Sequence, residues 1–148
     1  MKKNNNESQK KVVIYALYNE EYDDYYNDYS DLLSEDIDKE REIKRYCEDN
    51  NYKIIDTFRN NKSDYTAYKF KCILKIINKY YTTHYVDGYD AKVDKILFYD
   101  IYDLCSNISE FNVIFEMFDF EHIKIETIKQ GKILKNSFKE LEAKENEK

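Results

Sequence analysis

The chain is poor in residues that interrupt regular structure, since its 148 residues include no proline and only two glycines. It also has no tryptophan, and its three cysteines, Cys47, Cys72 and Cys105, are widely spaced and form no CxxC pair. This spacing argues against a zinc site or a disulfide framework, so we interpret them as small buried hydrophobic residues. No apolar run reaches membrane-spanning length, and the start MKKNNNESQKK has no hydrophobic signal segment. We therefore expect a cytoplasmic protein without membrane contact.

The sequence is instead rich in charge, with 36% charged residues, 42% hydrophobic residues and a net charge of −6. This length allows one domain with a real core and is too short for two ordinary domains. The acidic balance disfavours a protein that binds DNA mainly through phosphates, because that role needs Lys and Arg concentrated on one face. Sixteen tyrosines accompany abundant Lys, Asn and Ile, a composition typical of AT-rich genomes, so the tyrosines alone indicate no function.

Hydrophobic periodicity predicts strands and helices that alternate along the chain. The predicted strands cover 11–18, 52–58, 95–99 and 123–128, and the predicted helices cover 36–50, 67–81, 108–120 and the segment after Gly131. This order predicts an α/β domain whose four- to five-stranded sheet is mainly parallel and flanked by helices. We expect a disordered tail over 1–10, the α/β domain over 11–130 and a C-terminal helix over 131–148.

Several phrases occur in a fixed order around these elements: VVIYALYNEE, EIKRYCEDNNYKIIDTF, DYTAYKFKCIL, KILFYDIYDLCSN and FEHIKIETIKQG. In order and spacing they resemble the N-terminal catalytic domain of the serine recombinases, the resolvase/invertase family. The resemblance covers about 11–135 and implies a resolvase-like three-layer sandwich.

The chemistry of that family does not carry over to this sequence. In serine recombinases a serine hydroxyl attacks a DNA phosphodiester, and several arginines stabilise the charge that builds in the transition state. The nucleophile position falls here on Asn19, the arginine positions on Leu17, Ala67, Asp103 and Ser106, and a lysine position on Asp100. An asparagine amide cannot make the attack, and the two aspartates put negative charge where a phosphate would lie. The resemblance therefore implies vestigial positions, no catalytic residue and no cofactor.

A domain of this fold without DNA cleavage would act through protein contacts. Serine recombinases form dimers and tetramers through helices of this domain, so we expect a protein partner or a homo-oligomer, as in an accessory or regulatory factor of DNA recombination or of a mobile element. The candidate partner-binding stripe is Ile133, Leu134, Phe138 and Leu141, which could equally pack onto its own sheet. Since the sequence ends in KENEK, where the family continues to a DNA-binding module, we expect no direct DNA binding.

Two further hypotheses concern the acidic residues. Glu20, Glu21, Asp100 and Asp103 would converge at the carboxyl ends of the first and third strands, as weak candidates for binding Mg²⁺, Ca²⁺ or a small ligand. Acids near helix N-termini also fit these positions without a ligand. The tyrosine-rich acidic segment 20–38 contains no basic residue. It could mimic the charge of a nucleic acid toward a basic protein, or it could form a solvated loop.

Overall fold

The computed structural model describes residues 9–18, 34–61, 73, 75–76 and 93–146. Its strands in these ranges are β1 (Lys10–Tyr18), β2 (Tyr52–Asn61), β3 (Lys95–Phe98), β4 (Lys124–Thr127) and β5 (Gly131–Ile133). Its helices are α1 (Ser34–Asp49), α2 (Ile101–Leu104), α3 (Ile108–Phe120) and α4 (Ser137–Asn146). No helix in the described part of the chain is both long and apolar enough to cross a bilayer.

The five strands form one sheet in the order β2-β1-β3-β4-β5. The first four are mutually parallel, and β5 runs antiparallel to β4. Parallel neighbours require a crossover, which explains why β1 and β2 are joined across α1 and why α3 lies between β3 and β4. The predicted mainly parallel α/β sheet flanked by helices is confirmed.

Side chains of alternating strand residues enter two separate cores. One core contains Val13, Ile96 and Phe98 from the strands with Phe111 and Phe118 from α3. The other has fewer members among the described residues and contains Val12, Ile14 and Leu97 with Ile43 and Cys47 from α1. Helices therefore cover both faces of the sheet, as in a three-layer sandwich.

Helix α3 shows how the local sequence sets an element's limits. Asn107 caps its start, where its side chain accepts a hydrogen bond from the Glu110 backbone N–H. At the other end, the N–H of Ile123 bonds the carbonyl of Phe118 while His122 takes a left-handed φ of 61°. This is the bonding of a Schellman turn, which ends the helix and turns the chain into β4.

Two of the predicted boundaries are wrong. The segment after Gly131 is not helical throughout, because Gly131–Ile133 pairs with β4 and α4 begins only at Ser137. Gly131 has a φ of 75°, a conformation that glycine adopts without strain, and it returns the chain along β4. At the other terminus, β1 begins at Lys10, inside the predicted tail, and residues 1–8 lie outside the described residues. Of the predicted helix over 67–81, Ile73, Lys75 and Ile76 are described, and all three are helical.

Candidate functional site

The carboxyl ends of the parallel strands meet at one edge of the sheet. Tyr18 pairs with Asn61 at the ends of β1 and β2, and Phe98 pairs with Thr127 at the ends of β3 and β4. Ligands of open α/β sheets bind outside this edge. Asp100 lies two residues beyond the end of β3, at this edge.

The polar groups between β3 and β4 bond each other. Asp100 accepts hydrogen bonds from the Tyr102 backbone N–H at 3.1 Å and from Gln130 Nε2 at 3.0 Å. The other end of the Gln130 amide, its Oε1, accepts from the Ile101 backbone N–H at 3.0 Å and from the Thr127 hydroxyl at 2.6 Å. We call Asp100, Thr127 and Gln130 the edge triad.

The edge triad occupies the groups that an anion would use. The backbone N–H groups of Ile101 and Tyr102 lie at the start of α2, and both are already bonded to side-chain oxygens of the triad. The Thr127 side chain is buried, and its hydroxyl donates to an amide oxygen, which is not a general base. The arrangement therefore neither presents backbone donors to a phosphate nor activates a nucleophile.

Arginine is scarce in this chain, which contains only Arg41, Arg45 and Arg59. Arg59, near the end of β2, makes a two-pronged ion pair with Glu40 of α1, at 2.8 and 2.9 Å. Arg41 and Arg45 are exposed on α1, and Arg41 approaches Asp38 at 3.7 Å. The one arginine at the end of a strand is thus already bound to a buried carboxylate.

Among the described residues, two lysines near this edge lie against an aromatic ring. Lys39 and Lys129 place their Nζ atoms 5.4 and 5.7 Å from the ring centre of Tyr99. The pKa of the Tyr99 hydroxyl is raised by burial and then by nearby acids, among them Glu42 and Asp100. The charge around Tyr99 is therefore mixed, unlike the cationic pocket that a transferring phosphate requires.

The structure places only some of the predicted site residues at this edge. Leu17 is half-buried in β1, Asp103 is half-buried in α2, and Ser106 is exposed beyond α2. Outside the described residues lie Asn19, Ala67, Glu20 and Glu21. Within 9–18, 34–61, 73, 75–76 and 93–146, no group of three or more His, Cys, Asp and Glu side chains could hold a metal ion.

The four residues of the predicted C-terminal stripe are not on one helix. Ile133 lies in β5, and Phe138 is the buried residue of α4, where its ring stacks on Phe111 at 5.6 Å between centres. Leu141 packs against the same core, and Leu134 is 67% exposed. Three of the four residues thus contact the domain's own core, and Leu134 lies at the surface.

Sequence reasoning missed a polar cluster on the α1 face of the sheet. Lys95 Nζ lies 2.8 Å from Glu126 Oε1 and 2.7 Å from the Tyr52 hydroxyl. The Tyr52 and Tyr46 hydroxyls both donate to Glu126 Oε2. We call Tyr46, Tyr52, Lys95 and Glu126 the α1-face cluster. The sequence signal was a charged residue on the inward side of each of two short strands. These residues are Lys95 in KILF and Glu126 in KIET.

The α1-face cluster holds its charges in their ionised forms. Burial alone would raise the pKa of Glu126, but hydrogen bonds from Lys95 and Tyr46 outweigh it and lower that pKa. Burial would lower the pKa of Lys95, but the bonds to Glu126 and Tyr52 raise it. Burial, followed by the Glu126 charge, raises the pKa of the neighbouring Cys47 thiol to about 12. These groups stabilise each other, and Cys47 stays a protonated thiol rather than a reactive thiolate.

Comparison with known proteins bears on the fold. No protein-family model and no curated protein matches the sequence. Among solved structures, the chain is similar to a resolvase family site-specific recombinase from Streptococcus pneumoniae, with a TM-score of 0.61 and 13% sequence identity. The similarity covers 94% of this chain and 89% of the recombinase chain. The five-stranded, mostly parallel sheet described above therefore belongs to a resolvase-like α/β fold.

Proposed function

We propose that this chain is a resolvase-like domain that does not cleave DNA and acts by contacting another protein, as an accessory or regulatory factor of DNA recombination or of a mobile element. The fold supports the link to recombination, since a solved structure that is similar to this chain is a site-specific recombinase. The residues at the carboxyl edge of the sheet support the loss of cleavage.

The observation that carries the proposal is the closure of that edge by the edge triad. Transfer of a phosphoryl group needs an activated nucleophile and fixed positive charge around the phosphate oxygens. At the described edge, Gln130 and Asp100 instead bond the backbone donors of α2. The chain's three arginines do not supply the missing charge, because two are exposed on α1 and the third is paired with Glu40.

The expected penalty for a phosphate at this edge is large. A phosphate about 4–5 Å from a carboxylate, at an effective dielectric constant near 20, is repelled by roughly 3–4 kcal/mol before screening by salt. Asp100 would add such a repulsion, because its hydrogen bonds to Tyr102 and Gln130 hold its carboxylate at the edge. We therefore expect this edge to reject a DNA backbone.

The test is an assay for strand cleavage and covalent attachment. The purified chain is incubated with supercoiled plasmid and with end-labelled duplex DNA, quenched in detergent and resolved by electrophoresis, with an active resolvase on its own site as positive control. The proposal expects neither nicked plasmid nor a protein–DNA adduct. A covalent adduct would overturn it, and Ser106→Ala and Ser109→Ala variants would then show whether a serine near α3 is the nucleophile.

A further inference from the structure

The outer side of α3 exposes two large apolar side chains. Phe120 is 80% exposed and Val113 is 50% exposed. They are seven residues apart, close to two helical turns, so both lie on the same side of the helix. The inward residues of α3, Phe111, Ile114 and Phe118, are all buried. The exposed pair is thus additional to the stripe that the core requires.

The charged residues of α3 are all acidic. Glu116 and Asp119 are exposed on the side of the helix away from the core, and α3 contains no Lys or Arg. The next lysine along the chain, Lys124, alternates in sequence with Ile123 and Ile125, which enter the α3-side core. Its side chain therefore points toward the opposite face of the sheet. We call Val113, Glu116, Asp119 and Phe120 the α3 acidic face.

The charge of the α3 acidic face selects among possible occupants. In a two-fold dimer the same patch meets itself, so a second copy docked there would set the acids Glu116 and Asp119 against the acids of the same patch on the other copy. The chain as a whole carries a net charge of −6, which adds to the repulsion between copies. A segment with basic residues beside apolar ones complements both the acids and the exposed Val113 and Phe120.

We propose that the α3 acidic face docks a basic amphipathic segment of another protein. This inference rests on the proposed function, because it assigns a surface and a partner chemistry to the contact through which the domain acts. Phe120 and Val113 supply apolar anchors, and Glu116 and Asp119 set the sign of the partner's charge.

The experiment titrates the full chain with two synthetic helical peptides that have the same leucine positions. The positions not occupied by leucine carry lysine in one peptide and glutamate in the other. Binding is followed by calorimetry. The Leu/Lys peptide should bind and the Leu/Glu peptide should not. Phe120→Ser should lower the affinity for the Leu/Lys peptide by about tenfold or more, as expected for loss of an apolar anchor. Glu116→Lys combined with Asp119→Lys should do the same.

Matched controls separate this surface from general acidity. Ile54→Thr removes another exposed apolar side chain, on the edge strand β2, and Glu48→Lys combined with Asp49→Lys reverses two exposed acids at the end of α1. Both should leave the affinity for the Leu/Lys peptide unchanged. Equal weakening by these controls, or no weakening by Phe120→Ser, would overturn the proposal. A dimer in sedimentation that Phe120→Ser dissociates would also overturn it, in favour of self-association.

This test and the cleavage assay fail independently. If the chain cleaves DNA and also binds the peptide at α3, the proposed absence of cleavage is wrong and the proposed docking surface stands. If the chain neither cleaves DNA nor binds the peptide at α3, the docking surface is wrong and the absence of cleavage stands. Circular dichroism of each variant checks that the fold is intact, which we expect because the substituted side chains are exposed.

Discussion

On the face of the sheet covered by α3 and α4, the buried side chains are mostly apolar and many are aromatic, including Phe98, Phe111, Phe118 and Phe138. On the face covered by α1, fewer of the described residues form the apolar core, and buried charge lies beside it. There Glu126 is bound by Lys95, and Glu40 is bound by Arg59. The same sheet thus uses two kinds of packing within one domain.

The two kinds of packing should respond differently to damage. An apolar core loses stability in proportion to the atoms removed, plus the cavity that remains. A buried ion pair contributes little compared with apolar residues of the same size, but removal of one partner leaves a buried charge uncompensated. The α1 face should therefore be sensitive to single changes and tolerant of paired ones.

The largest effect is expected from Lys95→Met. This change removes the cation whose Nζ lies 2.8 Å from Glu126 and leaves a carboxylate whose side chain is 3% exposed. Loss of one member of a buried pair typically costs about 3–5 kcal/mol. Urea unfolding followed by circular dichroism measures the change in free energy of unfolding.

The matched control is the double variant Lys95→Met with Glu126→Leu. It replaces the pair by apolar side chains of similar volume, so it should be more stable than Lys95→Met alone. If the double variant is the less stable of the two, the buried charges stabilise this face by more than mutual compensation, and the contrast between the faces fails.

Lowering the pH should have a smaller effect on the free energy of unfolding. The pKa of Glu126 is lower in the folded chain than in the unfolded one, so its contribution to stability is complete above the unfolded pKa and is lost as the pH falls through the folded pKa. The loss should be smaller than that in Lys95→Met, because a protonated Glu126 is uncharged and can still hydrogen-bond. From pH 7 to pH 3 the unfolding free energy of the wild type should fall further than that of the double variant, which has no carboxylate at position 126. Parallel curves would contradict the assignment.

A matched pair of tyrosine substitutions comes next. Tyr46 and Tyr102 each donate a hydrogen bond to a glutamate, Glu126 on the α1 face and Glu145 on α4. The Glu126 carboxylate is buried, whereas the bond between Tyr102 and Glu145 is exposed. Tyr46→Phe should therefore cost about 1.5–3 kcal/mol, the usual value for a bond to a charged group, and Tyr102→Phe less than about 1 kcal/mol. Similar costs in urea unfolding would show that burial does not distinguish these two bonds.

The contrast between the faces also explains what the sequence could predict. The runs VVIYA and ILF and the helical spacing of Phe111, Ile114 and Phe118 have strong periodicity, so the predicted strands and α3 lie close to their positions in the structure. β5 escaped prediction because three residues are too few to show a period, and its strand pairing is decided by β4. The sequence did not predict the ion pairs, because their members are 19 and 31 residues apart. It did not predict the edge triad, because Asp100 and Gln130 are 30 residues apart and their contact depends on the rotation of one amide. Periodicity reports which face a residue occupies and not which partner it meets.

The smallest effect tests whether apolar packing itself is equivalent on the two faces. Ile96 and Ile14 are both fully buried, Ile96 in the α3-side core and Ile14 in the α1-side core. Each Ile→Val change removes one methylene group and should cost about 0.5–1.5 kcal/mol. Equal costs in urea unfolding would mean that the faces differ only through their charges. A clearly larger cost for Ile14→Val would mean that the small core around α1 cannot close the cavity, so that its rigidity comes from the surrounding ion pairs as well as from its apolar contacts.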